Sequence, residues 1–342
     1  MSSSQNRRFR VAVVGATGAV GETMLSILAE RDFPVSELVP LASERSAGTT
    51  VKFGDEDVVV QDLATFDPAG IDIALFSAGG DTSQAYAPKF AAAGAVVIDN
   101  SSAFRYDDDV PLVISEVNPE AALKRPRGII ANPNCSTMQM LVALAPLHRK
   151  AGIVRINVST YQSVSGAGRS AMEELGRQTG DLLNFRSIDP QKFPVQIAFN
   201  LIPQIDAFLE NGFTKEEMKL VWETHKILGD DSILVNPTAV RVPVFYGHSE
   251  SVAVELRERI TVDEARAILA TAPGVEVVDE RVSGGWPTPV THASGRDPVF
   301  VGRIREDLSH PNGLNLWIVA DNIRKGAALN AVQVAELVAA EG

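Results

Sequence analysis

Residues 10–30, RVAVVGATGAVGETMLSILAE, set three glycines between a β-branched run and an amphipathic one. Gly15, Gly18 and Gly21 lie in the turn, and Met24, Leu25 and Leu28 share one side of the stretch that follows, the pattern of a strand, a tight loop and a helix. A strand that feeds a helix through so short a loop is half of a βαβ unit, which commits the chain to a parallel sheet with helices on its faces. Glycine lets the backbone come close to a pyrophosphate, whose charge then meets the N–H groups of the helix start. The spacing is G-x-x-G-x-x-G rather than the commoner G-x-G-x-x-G, so the loop taken alone is also compatible with a plain βα turn. Gly15, Thr17, Gly18, Ala19 and Val20 are its candidate cofactor contacts.

The alternation continues. Apolar runs recur at LVPLAS, IDIALFSAG and GAVVIDNS, the last two separated by the helix-like DTSQAYAPKFAAAG. After the second strand an NAD site would place an acidic residue for the ribose 2′-OH. This chain has LASERSAG, and an arginine between two hydroxyls (Ser43, Arg45, Ser46) suits a 2′-phosphate, which favours NADP. Glu44 keeps the turn from being purely cationic, and a solvated turn is the alternative.

From about Gly152 the texture changes. GIVRINVSTYQ, NPTAVRVPVF, SESVAVELRERI and NGLNLWIVADN read as long alternating strands of a mostly antiparallel sheet with one covered face, interrupted by helical patterns at 168–178, 214–227, 262–271 and 324–340. A chain of 342 residues exceeds what one core usually covers. The reading is an α/β protein: a Rossmann-type dinucleotide-binding domain at 1–134 with 323–342, and an α+β domain at 135–322. The net charge of −12 argues against nucleic acid or an acidic membrane as partner, so any anionic ligand needs cations gathered locally. No run suits a membrane span or a signal peptide, MSSSQNRRFR included, and a lone cysteine excludes an internal disulfide or a cysteine-rich zinc site. A cytoplasmic protein without a metal is expected.

That cysteine, Cys135, stands in ANPNCST. Asn134 is a good N-cap for the pattern CSTMQMLVALAPLHRK, with Met138, Leu141, Val142 and Leu144 on its buried face, and Pro133 stops a helix from entering earlier. A thiol in a first helical turn has its pKa lowered by the macrodipole and the orphan N–H groups, and so suits a nucleophile; a buried apolar cysteine is the bland alternative. A thiolate needs a proton partner. Of five histidines, His148 and His225 fall in helical patterns and His292 and His310 in Gly/Pro-rich loops, whereas His248 in RVPVFYGHSE stands at a strand end. Arg241 opens the same motif and could grip an anionic group or make a surface ion pair. In TKEEMKLVWETHKIL, Thr214 with Glu217 has the form of a capping box, and Glu216 and Lys219 share a face.

Taken together, VGATGAVG, SAGG, DNSSAFR, ANPNCST, YQSVSGAG, RVPVFYGHSE and DNIRKGAALNAVQ occur in an order and at distances that resemble the bacterial type of the aspartate-β-semialdehyde dehydrogenase family, over nearly the whole chain. The resemblance implies an NADP-dependent phosphorylating aldehyde dehydrogenase that reduces L-4-aspartyl phosphate to L-aspartate 4-semialdehyde and phosphate. That reaction feeds lysine/diaminopimelate, threonine, methionine and isoleucine synthesis. It implies Cys135 as nucleophile, His248 as general acid/base and Gln162 as the group that positions the acyl intermediate. It further implies Arg241 on the substrate carboxylate, Glu216 on its amino group, and Arg105, Lys219 and Asn134 on its phosphate. Ser77, Ala78, Gly79, Ser165, Gly166, Gly168 and Asn322 join the cofactor contacts on the same ground, and a homodimer built on the second domain is implied.

Two other readings stand beside it. A sister reductase acting on N-acetyl-γ-glutamyl phosphate would share the loop and the thioester chemistry. A non-catalytic NADP-binding redox sensor would use Cys135 as its switch.

Overall fold

A computed structural model describes residues 7–341; Gly342 and the first six residues of the basic opening stretch lie outside the described residues. The chain divides into two compact units, Met1–Asn134 with Ala327–Gly342, and Cys135–Gly326. The C-terminal segment rejoins the first unit at Ala327, a little later than the 323 read from the sequence.

The first unit runs β1 (Phe9–Val14), α1 (Ala19–Glu30), β2 (Val35–Ala42), a small hairpin β3 (Thr50–Phe53) and β4 (Glu56–Val59), then β5 (Gln61–Asp62), β6 (Ile73–Phe76), α2 (Gly80–Ala92), β7 (Val96–Asp99) and β8 (Ile129–Ala131). Its main sheet has the order β5-β2-β1-β6-β7-β8, and every pairing is parallel. Val11, Ala12, Val13 and Val14 are all fully buried, the unbroken apolar run that a strand covered on both faces requires. Met24, Leu25, Ile27 and Leu28 of α1 enter the same core at 0% exposure, each contributing roughly 2 kcal/mol of transfer free energy. Strand order reverses direction at β1, and the glycine loop follows its carboxyl end, where ligands of such sheets bind.

The second unit opens with α3 (Cys135–Ala151) and continues through β9 (Ile153–Gln162), α4 (Arg169–Leu183), α5 (Lys215–Leu228), β10 (Leu234–Arg241), β11 (His248–Leu256), α6 (Val262–Ala270), β12 (Val275–Val277), β13 (Val299–Glu306) and β14 (Gly313–Ala320). The sheet order is β10-β9-β11-β14-β13-β12. Its three central pairings are antiparallel and its two edge pairings, β9 with β10 and β12 with β13, are parallel, so the sheet is mixed. In β9 the residues Ile156, Val158, Thr160 and Gln162 are buried in alternation, because α3 covers one face only. The pattern expected at 324–340 becomes a π-type turn, Arg324–Leu329, followed by α7 (Asn330–Ala339). Helix α7 packs on α1 in the first core, and Arg31 meets Glu336 at 2.7 Å. Among the described residues no helix is long and apolar enough to cross a membrane.

Candidate active site

In the first unit the glycine loop lines a cavity of about 500 Å³. Gly15 has φ +85°, and a Cβ there would stand 2.5 Å from the Ser77 carbonyl oxygen; one at Gly21 would stand 2.1 Å from the Gly15 oxygen. Only glycine permits both the positive φ and the close passage of loop, helix and neighbouring strand. Gly15, Thr17, Gly18, Ser43, Arg45, Ser46, Ser77 and Ala78 line the cavity, as do Asp62, Thr82, Tyr86 and Glu44, which sequence reasoning did not assign. Ala19, Val20 and Gly79 stand at the starts of α1 and α2 and are not among the lining residues. The cradle fits a dinucleotide phosphate: a narrow glycine turn, a helix start, and an arginine between two hydroxyls on the wall. Arg105 and Asn134 also belong to this unit and are buried, with Arg105 donating to the Asn100 carbonyl at 3.0 Å. The aspartates after Arg105 are engaged by Arg127, at 2.6 Å from Asp107 and 3.2 Å from Asp109.

In the second unit Cys135 is the first residue of α3, and the residue is half-buried. Dipole and main-chain N–H groups favour an anion at that position. A Cβ on Gly326 would lie 2.7 Å from the Cys135 Cβ, so the segment that carries Gly326 presses directly on the cysteine. His248 opens β11 and is fully buried. Gly247 before it takes φ +86°, where a Cβ would meet Pro289 at 2.9 Å, so only glycine delivers the chain to this strand end. His248 Nδ1 accepts the Ser163 main-chain N–H at 3.1 Å. That donor has no acceptor capacity, so the neutral imidazole carries its proton on Nε2, and among the described residues Nε2 has no hydrogen-bond partner. Burial first, and then the Arg241 charge, hold His248 down to about 3.

Gly166 explains how the His248 and Arg241 side chains share space. A Cβ there would meet Arg241 Nη1 at 3.1 Å and His248 Nε2 at 3.2 Å. Arg241, buried, donates to the Ser163 carbonyl at 2.8 Å, and burial pulls it below the usual guanidinium value while Glu216 and Cys135 oppose that. Ser163 is therefore a hub that sequence reasoning missed: its N–H orients His248, its carbonyl holds Arg241, and its hydroxyl donates to Asn322 Oδ1 at 3.1 Å. Asn322 Oδ1 also accepts from Ser165 Oγ and from the Gly247 N–H, fixing the turn before His248. The only signal for Ser163 was its place beside Gln162 in YQSVSGAG.

Gln162 ends β9 and donates to Thr160 Oγ1 and to Glu216 Oε1, both at 3.2 Å. The capping box of α5 is formed by Thr214 and Glu217, which turns Glu216 and Lys219 to one face, 2.8 Å apart. Burial pulls Lys219 down, but Glu216 and Asp206 together outweigh it and leave the amine above its ordinary value. The structure thus gathers Cys135, Gln162, Gly166, Glu216, Arg241 and His248 around one set of contacts. Gly168, at φ +92°, caps α4. The other histidines have local partners: His148 with the Ile153 N–H, His225 with the Ile233 carbonyl, His292 with Thr288 and Thr291, and His310 with the Asn312 N–H.

Comparison with known proteins is consistent over the whole length. Residues 10–125 match the family model described as semialdehyde dehydrogenase, NAD binding domain, and residues 144–325 match semialdehyde dehydrogenase, dimerisation domain. The chain is 62% identical over 338 residues to the aspartate-semialdehyde dehydrogenase of Legionella pneumophila, covering 98% of this chain and 97% of that one. It is 57% identical over 337 residues to that of Aquifex aeolicus (strain VF5), covering 98% and 99%. Among solved structures, aspartate semialdehyde dehydrogenase II complexed with ASA from Vibrio cholerae superposes with a TM-score of 0.96 at 58% identity, over 98% of this chain and 99% of that one. The Candida albicans enzyme with NADP gives 0.73 at 25% identity, over 97% and 98%.

Proposed function

The chain belongs to the aspartate-semialdehyde dehydrogenase family, and from that premise we propose that it reduces L-4-aspartyl phosphate to L-aspartate 4-semialdehyde and phosphate, with Cys135 as nucleophile and His248 as acid/base. The observation that carries the residue roles is the second-unit constellation. A half-buried cysteine heads α3, and a buried imidazole nitrogen without a partner among the described residues stands against a buried guanidinium.

The Cys135 sulfur forms a bond to the acyl carbon, and phosphate leaves with the electron pair. Lys219, Arg105 and Asn134 are proposed to carry the phosphate charge, and Arg241 to grip the carboxylate with both guanidinium arms. Glu216, braced by Gln162 and Lys219, takes the amino group. Gln162 stays beside the acyl intermediate. A thioester accepts hydride far more readily than a carboxylate, which is why the cysteine must acylate first. When bound, NADPH supplies that hydride. His248 Nε2–H donates to the oxyanion of the resulting thiohemiacetal, and the growing negative charge raises the basicity of a ring that is otherwise kept neutral. Collapse of this adduct returns the electron pair to sulfur and frees the aldehyde.

NADP in preference to NAD is supported by Arg45 between Ser43 and Ser46 on the cavity wall; Glu44 on the same wall argues the other way. The dimerisation-domain match supports a homodimer, and we place the enzyme in the cytoplasm, serving amino-acid biosynthesis. Phosphate-dependent NADP reduction measured with L-aspartate semialdehyde and with N-acetyl-glutamate semialdehyde tests the substrate; turnover of the acetylated compound alone would replace this reading with the sister reductase. Cys135→Ser is expected to lower turnover by roughly a thousandfold or more with NADPH affinity unchanged. Undiminished turnover would leave the redox-sensor reading.

A further inference from the structure

Glu250 is buried to 0% in the second unit, on β11 two residues beyond His248 and therefore on the same face of the strand. Its strand neighbours are Thr160 of β9 and Ile318 of β14. From α3 the Gln139 amide stands against its carboxyl, yet among the described residues neither Glu250 oxygen accepts a well-formed hydrogen bond and Gln139 Oε1 has no donor. Gln139 Nε2 is directed at the His248 carbonyl oxygen, 3.4 Å away. Gln139 lies one turn after Cys135 on α3, so the two share a helix face. The reacting pair, Cys135 and His248, is thus underlain by a second pair, Gln139 and Glu250, each one step further along the same helix and the same strand.

Buried acceptor oxygens without a donor are costly in a dry interior, and an ionised carboxylate without a cation is costlier still. One proton removes both problems. We propose that Glu250 is held as a neutral carboxylic acid whose O–H donates to Gln139 Oε1, and that this bond locks the Cys135 turn of α3 to the His248 end of β11. Glu250 is a positioning residue: it touches no substrate, and it acts through the two groups that do. The inference rests on the reading of Cys135 and His248 as the reacting pair. Burial pushes the carboxyl well above its ordinary value, and the Gln139 amide, the one side chain that also bears on its ionisation, pulls the other way without offsetting burial. Apolar contacts between α3 and the sheet resist separation but not sliding; a buried directional bond fixes the register. A shift of the thiol by even 1 Å would cost on the order of a hundredfold in rate.

The test uses the purified full-length enzyme. Its infrared spectrum at neutral pH is expected to show the carbonyl stretch of a protonated carboxyl that disappears in Glu250→Gln. Glu250→Gln, which keeps a donor, is expected to retain kcat within about threefold, whereas Glu250→Leu loses tenfold or more in kcat with little change in either KM. Gln139→Leu, which removes the acceptor and keeps Glu250, should reproduce the Leu phenotype and serves where Glu250→Leu does not fold. Absence of the infrared band, a Gln variant as impaired as the Leu variant, or a Leu variant with full kcat would overturn the proposal. Cys135→Ser separates the two levels: retained turnover there refutes the catalytic reading, while the infrared band is read without any reaction.

Discussion

At the residue scale the site depends on glycines as much as on charged groups. Gly326 and Gly166 have no chemistry, yet each marks a place where backbone comes close to a side chain proposed to react. Gly326→Ala would set a methyl 2.7 Å from the Cys135 Cβ, a distance that no relaxation of a flexible side chain can absorb, because the neighbour is itself the root of the proposed nucleophile. We expect kcat to fall roughly ten- to a hundredfold and stability to fall by about 1–3 kcal/mol, read from steady-state kinetics and chemical denaturation side by side. Cys135, His248 and Arg241 were legible as candidates from their positions at a helix start and at strand ends. Ser163, Gln139 and Glu250 were not. A serine in a loop and a glutamate in a strand carry no local sign of being buried, and the His248 that Ser163 and Gln139 meet stands 85 and 109 residues away from them.

At the element scale local signals were reliable where the physics is local. The capping box at Thr214 and Glu217 is read directly from its spacing, and it forms, with Glu217 Oε2 accepting the Thr214 N–H at 2.7 Å. Because α5 carries Glu216 and Lys219, Thr214→Ala is expected to cost about 1 kcal/mol in chemical denaturation and to raise the KM for the acyl phosphate. The sequence also foresaw the strand, glycine loop and helix of the first unit, and the cavity that this loop lines. Arg45→Ala should raise the KM for NADPH about tenfold, the loss of one charge-assisted hydrogen bond, and leave that for NADH nearly unchanged. Equal effects on both cofactors would refute the 2′-phosphate assignment. The parallel edges of the second sheet were invisible, since alternation reports a covered face and not the direction of the neighbouring strand.

At the scale of the whole molecule, the buried titratable groups set opposite slopes in stability against pH. His248 has a folded value of about 3, below its unfolded 6.5. Between those limits the unfolded chain binds the proton and the folded one does not, so stability falls as pH drops from 6.5 towards 3, by up to about 1.4 kcal/mol per unit. His248→Gln should flatten that acid limb in urea titrations across pH, and an unchanged limb would show that the imbalance lies elsewhere. Glu250 slopes the other way: with its folded value raised, it favours unfolding increasingly as pH climbs above 4.5, and Glu250→Gln should remove that loss. By itself the sequence determined the βαβ opening, the two-domain division of the chain and the cysteine at a helix start. Periodicity, glycine spacing and caps act over a few residues and are written in order along the chain. Tertiary structure alone decided which neutral groups meet Cys135 and His248, which carboxyl is stripped of water, and which nitrogen of His248 bears the proton. Burial and hydrogen-bond partners are properties of space, and residues distant in sequence acquire them only when the sheet and its helices close.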